Sequence, residues 1–360
     1  MKRKDFLKKG LASSVLIGTS VFTSASISED NNQKQESKDN MKQMVMGDPE
    51  EIIIERPIPG KPHKGKVLLA IQAHSDDIPL FAGGTVAKLM DEGYTGYLLL
   101  TSNDCIGGKY QSCELAATQL LRISNDCIGD YMGNFQDNIK IAKFYGMEKA
   151  YNFMYPHHQM DSIQIQDLKG RLIFLFRLLK VDTIVCWDPW EHYEENPDHI
   201  ATAHAVEAAR WMAGSSGDYP EHLDAGLIPH SPGECYYYSR DSQRANRIVD
   251  ISNYIDKKAE VNLLNTTKGP AGLGQGKKLK DQLARDGKQL PLLGNDDKMA
   301  NFNYAKYILC DIDSRRLNCT TISNKELGER YGIEWAERFH YIGPLPNKLE
   351  QYIKEHAIAK

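Results

Sequence analysis

The chain has 360 residues, of which 41% are apolar and 26% charged, with a formal net charge of −4. This length supplies material for one large or two small domains, and the composition is that of an ordinary soluble protein. The slightly acidic balance lacks the basic footprint of a nucleic-acid binder, and no stretch approaches the roughly 18–20 uninterrupted apolar residues that span a bilayer.

In chain order, a basic head, Met1–Gly10, precedes a short apolar segment, Leu11–Phe22, and the small residues Ser24-Ala25-Ser26. That tripartite pattern predicts an export signal over residues 1–26 and a periplasmic or extracellular location. Arg3-Lys4-Asp5-Phe6-Leu7-Lys8 resembles a twin-arginine signal with Lys4 in place of the second arginine, so either export route fits. Loss of this segment leaves a more acidic chain. The next stretch is rich in Ser, Glu, Asp, Asn, Gln and Lys, which predicts a disordered polar linker over 27–60.

From residue 61 the pattern becomes that of a folded domain. Val67–Ile71, Tyr97–Thr101, Ala150–Met154 and Thr183–Trp187 read as buried strands. Helical patterns lie between them at Thr85–Asp91, Asn138–Tyr145 and Leu168–Leu179, with a further helix from Pro197 to about Met212. Strands alternating with helices predict an α/β fold, a mostly parallel sheet covered on both faces. In such sheets ligands bind beyond the carboxyl ends of the strands. Cys235–Tyr238 and Arg247–Ile251 read as further strands and Asn253–Leu264 as a helix, which closes a domain over 61–265. Residues 266–360 read as an insertion loop plus a C-terminal extension with extra strands, packing on the same domain. Within them, Lys268–Asp297, including Gly272-Leu273-Gly274-Gln275-Gly276, reads as a mobile surface insertion.

Seven cysteines are scattered without a CxxC pair, which speaks against a thiolate zinc site. The chemistry lies elsewhere. Ala73-His74-Ser75-Asp76-Asp77 follows the first strand directly. His74 and Asp77 are three residues apart, so a turn can aim both at one ion, while Asp76 can face a metal-bound water as general base. The third ligand is sought at His199. Asn196-Pro197-Asp198-His199 reads as a helix start, with Asn196 as N-cap and Pro197 in the first turn. That helix start would set His199 over the same sheet edge.

Together with Gly83-Gly84-Thr85, the first cluster resembles the A-H-P-D-D…G-G-T signature of the PIG-L (LmbE-like) zinc-dependent N-deacetylases, and Pro197-Asp198-His199 resembles the end of that family's H-P-D-H block. The resemblance spans roughly residues 66–259. It implies a Rossmann-like fold and removal of an N-acetyl group from an amino sugar or sugar conjugate. It further implies Zn2+ on His74, Asp77 and His199, Asp76 as base, and Asp198 supporting a ligand. Two positions depart from the pattern: Ser75 stands for a proline, and Asn196 for the histidine that helps stabilise the oxyanion. Asparagine can donate a hydrogen bond there but cannot carry a proton. His192, or His157 and His158, are the candidates for the missing acid, and Asn103, Asp104 and Asp161 for contacts to sugar hydroxyls. The expected partner is a small N-acylated amino sugar or glycoconjugate, with no nucleic acid and no transmembrane segment in the mature chain. The alternatives are cleavage of another amide, such as a thiol–sugar conjugate, or sugar binding with little turnover.

Overall fold

The computed structural model describes residues 52–104, 125–191, 194–240, 244–266, 272–312, 322–343 and 348–358; side chains at 125–133, 348, 350 and 351 lie outside the description. The segment expected to be an export signal, most of the expected linker and His192 fall outside these ranges.

Among the described residues, eight strands form one sheet: β1 (Ile53–Glu55), β2 (Val67–Gln72), β3 (Thr95–Ser102), β4 (Lys149–Tyr155), β5 (Thr183–Trp187), β6 (Glu234–Tyr238), β7 (Arg247–Asp250) and β8 (Ala336–Ile342). Their spatial order is β1-β7-β8-β6-β5-β2-β3-β4. β8 pairs antiparallel with both β6 and β7, and every other pairing is parallel. The expected mostly parallel α/β sheet is therefore present. Its centre is apolar because both faces are covered: Leu68, Leu69, Ala70, Ile71, Ile184 and Val185 have no exposed surface.

The helices that matter here are α1 (Gly83–Asp91), α2 (Asn125–Phe144), α3 (Ile165–Leu179), α4 (Pro197–Met212), α5 (Ile255–Asn262), α6 (Gln275–Arg285), α7 (Asp297–Asn303) and α8 (Asn324–Arg330); short helices also form at Glu221–Asp224 and Lys348–His356. α3 packs on α4, and α1 on α5. β2 has β3 on one side and β5 on the other, so the chain crosses over in opposite directions from it. The carboxyl ends of β2 and β5 thus border the switch-point crevice, where such sheets bind ligands.

Three boundaries differ from the sequence reading. β1 lies inside the stretch assigned to the linker, and Ile58 N donates to Glu92 Oε1 at 2.8 Å, so the fold begins before residue 61. β8 is an interior strand rather than an add-on, because Glu337 enters the core as an ion pair with Lys258 at 2.6 Å. The described part of the segment read as a mobile insertion, 272–297, forms α6 and leads into α7. A Cβ on Gly276 would lie 2.0 Å from Ala300 O, so this glycine permits close approach of the two helices.

Candidate metal centre

The site is built on the turn after β2. Asp77 Oδ2 accepts from the backbone N–H groups of Ala73 and His74, each at 2.9 Å, and from Trp187 Nε1 at 2.9 Å. Those three donors occupy one carboxylate oxygen and leave Oδ1 facing inward, 3.7 Å from His74 Nδ1 and 3.4 Å from His199 Nε2. The two ring nitrogens are themselves 2.8 Å apart. Ligands about 2.0–2.1 Å from a tetrahedral ion stand roughly 3.3 Å from one another. A triangle with edges of 2.8, 3.4 and 3.7 Å, made of two imidazoles and a carboxylate, fits a borderline-soft divalent ion.

His199 comes from the first turn of α4. Asn196 caps this helix, its Oδ1 accepting from Asp198 N at 2.9 Å, and Pro197 follows. That bond fixes the amide flip, so Asn196 Nδ2 points away from the helix, 3.4 Å from His158 Nε2. Trp187 lies flat on His199, with ring centroids 3.9 Å apart and 17° between planes.

Each imidazole turns its second nitrogen toward a carboxylate. His74 Nε2 meets Asp198 Oδ2 at 3.1 Å. His199 Nδ1 lies 3.1 Å from Glu194 Oε2, an ion-pair contact rather than an aligned hydrogen bond. Burial opposes a charge on His74, but Asp198 and Asp77 raise its pKa from 6.5 to about 10. For His199, burial is likewise outweighed by Asp77 and Glu194, and its pKa is raised. Burial alone would push Asp77 up, yet His199 and His74 hold it well below the usual carboxylate range.

A strap, Tyr155–Met160, closes one side. His158 N and Met160 N donate to the two oxygens of Asp198, at 2.8 and 3.2 Å, and Asn103 Oδ1 accepts from His157 N at 3.1 Å. His157 and His158 stack on each other at 3.7 Å, and His157 meets the His74 ring edge-on at 4.9 Å. Ring nitrogens of His74, His157 and His158 also lie within 4.8 Å of one another. Asp104, Met154 and His158 have positive φ angles of 51°, 67° and 53°. Such backbone costs about 1–3 kcal/mol per residue and clusters at working sites.

The structure thus brings together His74, Asp77, Asp198, His199 and Asn196, with His157 and His158 beside them. Asp76 is the one residue of Ala73–Asp77 that stays part-exposed. Asp104 is fully buried and accepts from Ser75 N at 2.9 Å, which makes it a brace under the turn. Asp161 is exposed in the turn Met160–Ser162. Glu194 was missed by sequence reasoning, since the flanking acids Glu191 and Glu195 look the same in one dimension. Gly84 belongs to the motif for a steric reason: a Cβ there would lie 2.7 Å from Ile251 Cβ. The N-terminal N–H groups of α1 are already filled, as Gly84 N and Thr85 N donate to Glu337 at 3.1 and 2.7 Å.

Fold and site together define an α/β protein with a His–Asp–His group at the switch point of a parallel sheet. Residues 69–210, which hold both motifs, match the family model described as PIG-L: GlcNAc-PI de-N-acetylase. The diacetylchitobiose deacetylase of Thermococcus kodakarensis is 26% identical over 197 residues, covering 54% of this chain and 66% of that protein, just under two thirds of its length. A solved structure of N,N'-diacetylchitobiose deacetylase from Pyrococcus horikoshii superposes with a TM-score of 0.54 at 19% identity. It covers 89% of this chain and 99% of that one, a likeness of fold.

Proposed function

We propose that this protein is a zinc-dependent deacetylase, hydrolysing the N-acetyl group of an amino sugar or sugar conjugate. The observation that carries the reading is the His74–Asp77–His199 group with Asp76 beside it, inside the segment that matches the deacetylase family. The deacetylase name of the curated relative supports a sugar substrate.

His74, Asp77 and His199 would hold the ion. When bound, it would polarise the acyl carbonyl and make water more acidic. Asp76, part-exposed at the end of the turn, takes a proton from the attacking water as its oxygen bonds to the carbonyl carbon. The C–N bond then breaks, and the proton held by Asp76 passes to the leaving nitrogen. The products are acetate and a free amine. Asn196, its amide fixed by the helix cap, offers N–H donors to the oxyanion. Asp198 orients His74, and the Trp187 ring covers one face of His199. We further propose that the chain acts outside the cytoplasm, on the strength of residues 1–26.

The test is a panel of N-acetylglucosamine, N,N'-diacetylchitobiose and larger N-acyl conjugates, scored by product mass and released acetate. The reading expects acetate loss that stops on chelation and returns with zinc. Release of a larger acyl group would move the substrate class, and no cleavage of any member despite bound zinc would overturn the proposal.

A further inference from the structure

The two histidines of the metal-binding group are held differently. His74 presents Nδ1 to the group and His199 presents Nε2, so each has one nitrogen left for a partner outside it. For His74 that partner is Asp198, next to the ligand His199 in the chain. For His199 it is Glu194, from the loop before α4.

We infer that Glu194 is a positioning residue that fixes the His199 ring and thereby sets the affinity of the group for a divalent cation. This rests on the metal-centre reading above and goes beyond it, because the resemblance to known deacetylases assigns Glu194 no role.

The geometry is that of a built support. The Glu194 side chain is 5% exposed and held at both oxygens. Oε1 accepts from Asn196 N at 2.8 Å, and Oε2 accepts from Arg240 Nε at 2.9 Å while facing His199 Nδ1. Arg240, just past β6, lies 5.7 Å over the Trp187 ring, and Trp187 in turn stacks on His199. Rotation of the imidazole would therefore break both the stack and the carboxylate contact.

Charge supports the same role. Asp77, Asp198 and Glu194 set three carboxylates around the two ligand histidines, with one guanidinium, Arg240, against Glu194. Carboxylates so placed favour a divalent cation. Without Glu194 one of them is lost and the ring loses its outer partner, so the cation is bound less tightly on both counts.

The test uses the full chain, stripped of metal and titrated with Zn2+ against a chromophoric chelator. Glu194→Gln should weaken zinc binding about 10- to 100-fold, the usual range for losing the outer partner of a ligand histidine. Glu195→Gln, on the exposed neighbour, should leave affinity within about twofold of the parent. A second readout, the visible spectrum of the Co2+-loaded protein, reports ligand geometry directly and should change in Glu194→Gln but not in Glu195→Gln. Equal zinc affinity and superimposable cobalt spectra for Glu194→Gln and the parent would overturn the inference. A parent chain that takes up no zinc would overturn the metal-centre reading, and this inference with it.

Discussion

Trp187, the last residue of β5, donates its indole N–H to Asp77 Oδ2 at 2.9 Å, tying the carboxylate after β2 to the neighbouring strand. The same ring covers the face of His199. Trp187→Phe would keep most of the stack and lose the donor. A buried hydrogen bond to a charged group contributes about 1.5–3 kcal/mol. Denaturant titration of the metal-free protein should show a loss of that order, and zinc competition a weaker site. An unchanged midpoint and affinity would show that the bond does not hold Asp77.

The raised pKa of His74 makes metal uptake a competition with protons. With a folded value of about 10 against 6.5, the ring is protonated in the metal-free protein throughout the neutral range. Zinc must displace that proton, so apparent affinity should rise about tenfold per pH unit between pH 6 and 8 for each proton released. Proton release measured in weak buffer checks the count. The corresponding effect on stability has the opposite sign. A raised pKa stabilises the metal-free fold fully below pH 6.5, and the contribution is lost as pH rises through about 10.

Glu337 and Lys258 form an ion pair with 0% and 1% side-chain exposure, and Glu337 also receives the first N–H groups of α1. Removing one partner of a buried pair costs about 3–5 kcal/mol. Glu337→Ala should lower unfolding free energy by that amount, measured by denaturant titration. Replacing both residues by apolar ones should recover only part of it, because Gly84 N and Thr85 N would still lack an acceptor.

Gly84 and Gly83 should respond differently to alanine. The Gly84 Cβ would meet Ile251 Cβ at 2.7 Å, whereas at Gly83 the nearest atom is Lys258 Cγ at 3.2 Å. Overpacking of the first kind costs about 1–3 kcal/mol. Thermal unfolding should therefore rank Gly84→Ala below Gly83→Ala, and the reverse order would refute the steric account.

Much of this architecture was legible in the chain. The central strands are buried on both faces, so their apolar runs stand out, and Thr183–Trp187 was placed to the residue. The cap at Asn196 was readable because Asn-Pro-Asp satisfies free N–H groups and the helix dipole at once. β1 was hidden by its length, three residues on the edge of a polar stretch. β8 was hidden by its charges: Glu337 is core because Lys258 meets it, and no pattern within Ala336–Ile342 announces a partner about eighty residues away. α6 hides in the sequence because its apolar face is narrow: Leu279 and Leu283, set among lysines and acids, pack against the core, and Gly276 is its one buried residue. Glu194 needed the third dimension, since only the packing of β6 against β5 brings Arg240 to it.

The central claim is that Asp76 works as the base beside a metal held by His74, Asp77 and His199. Asp76→Asn removes the proton acceptor and none of those three side chains. Zinc content and acetate release should be measured on the same preparation. The account predicts zinc retained at the parent level and acetate release from the N-acetylated sugar lowered about 10²- to 10⁴-fold. Full zinc occupancy with an undiminished rate would contradict it.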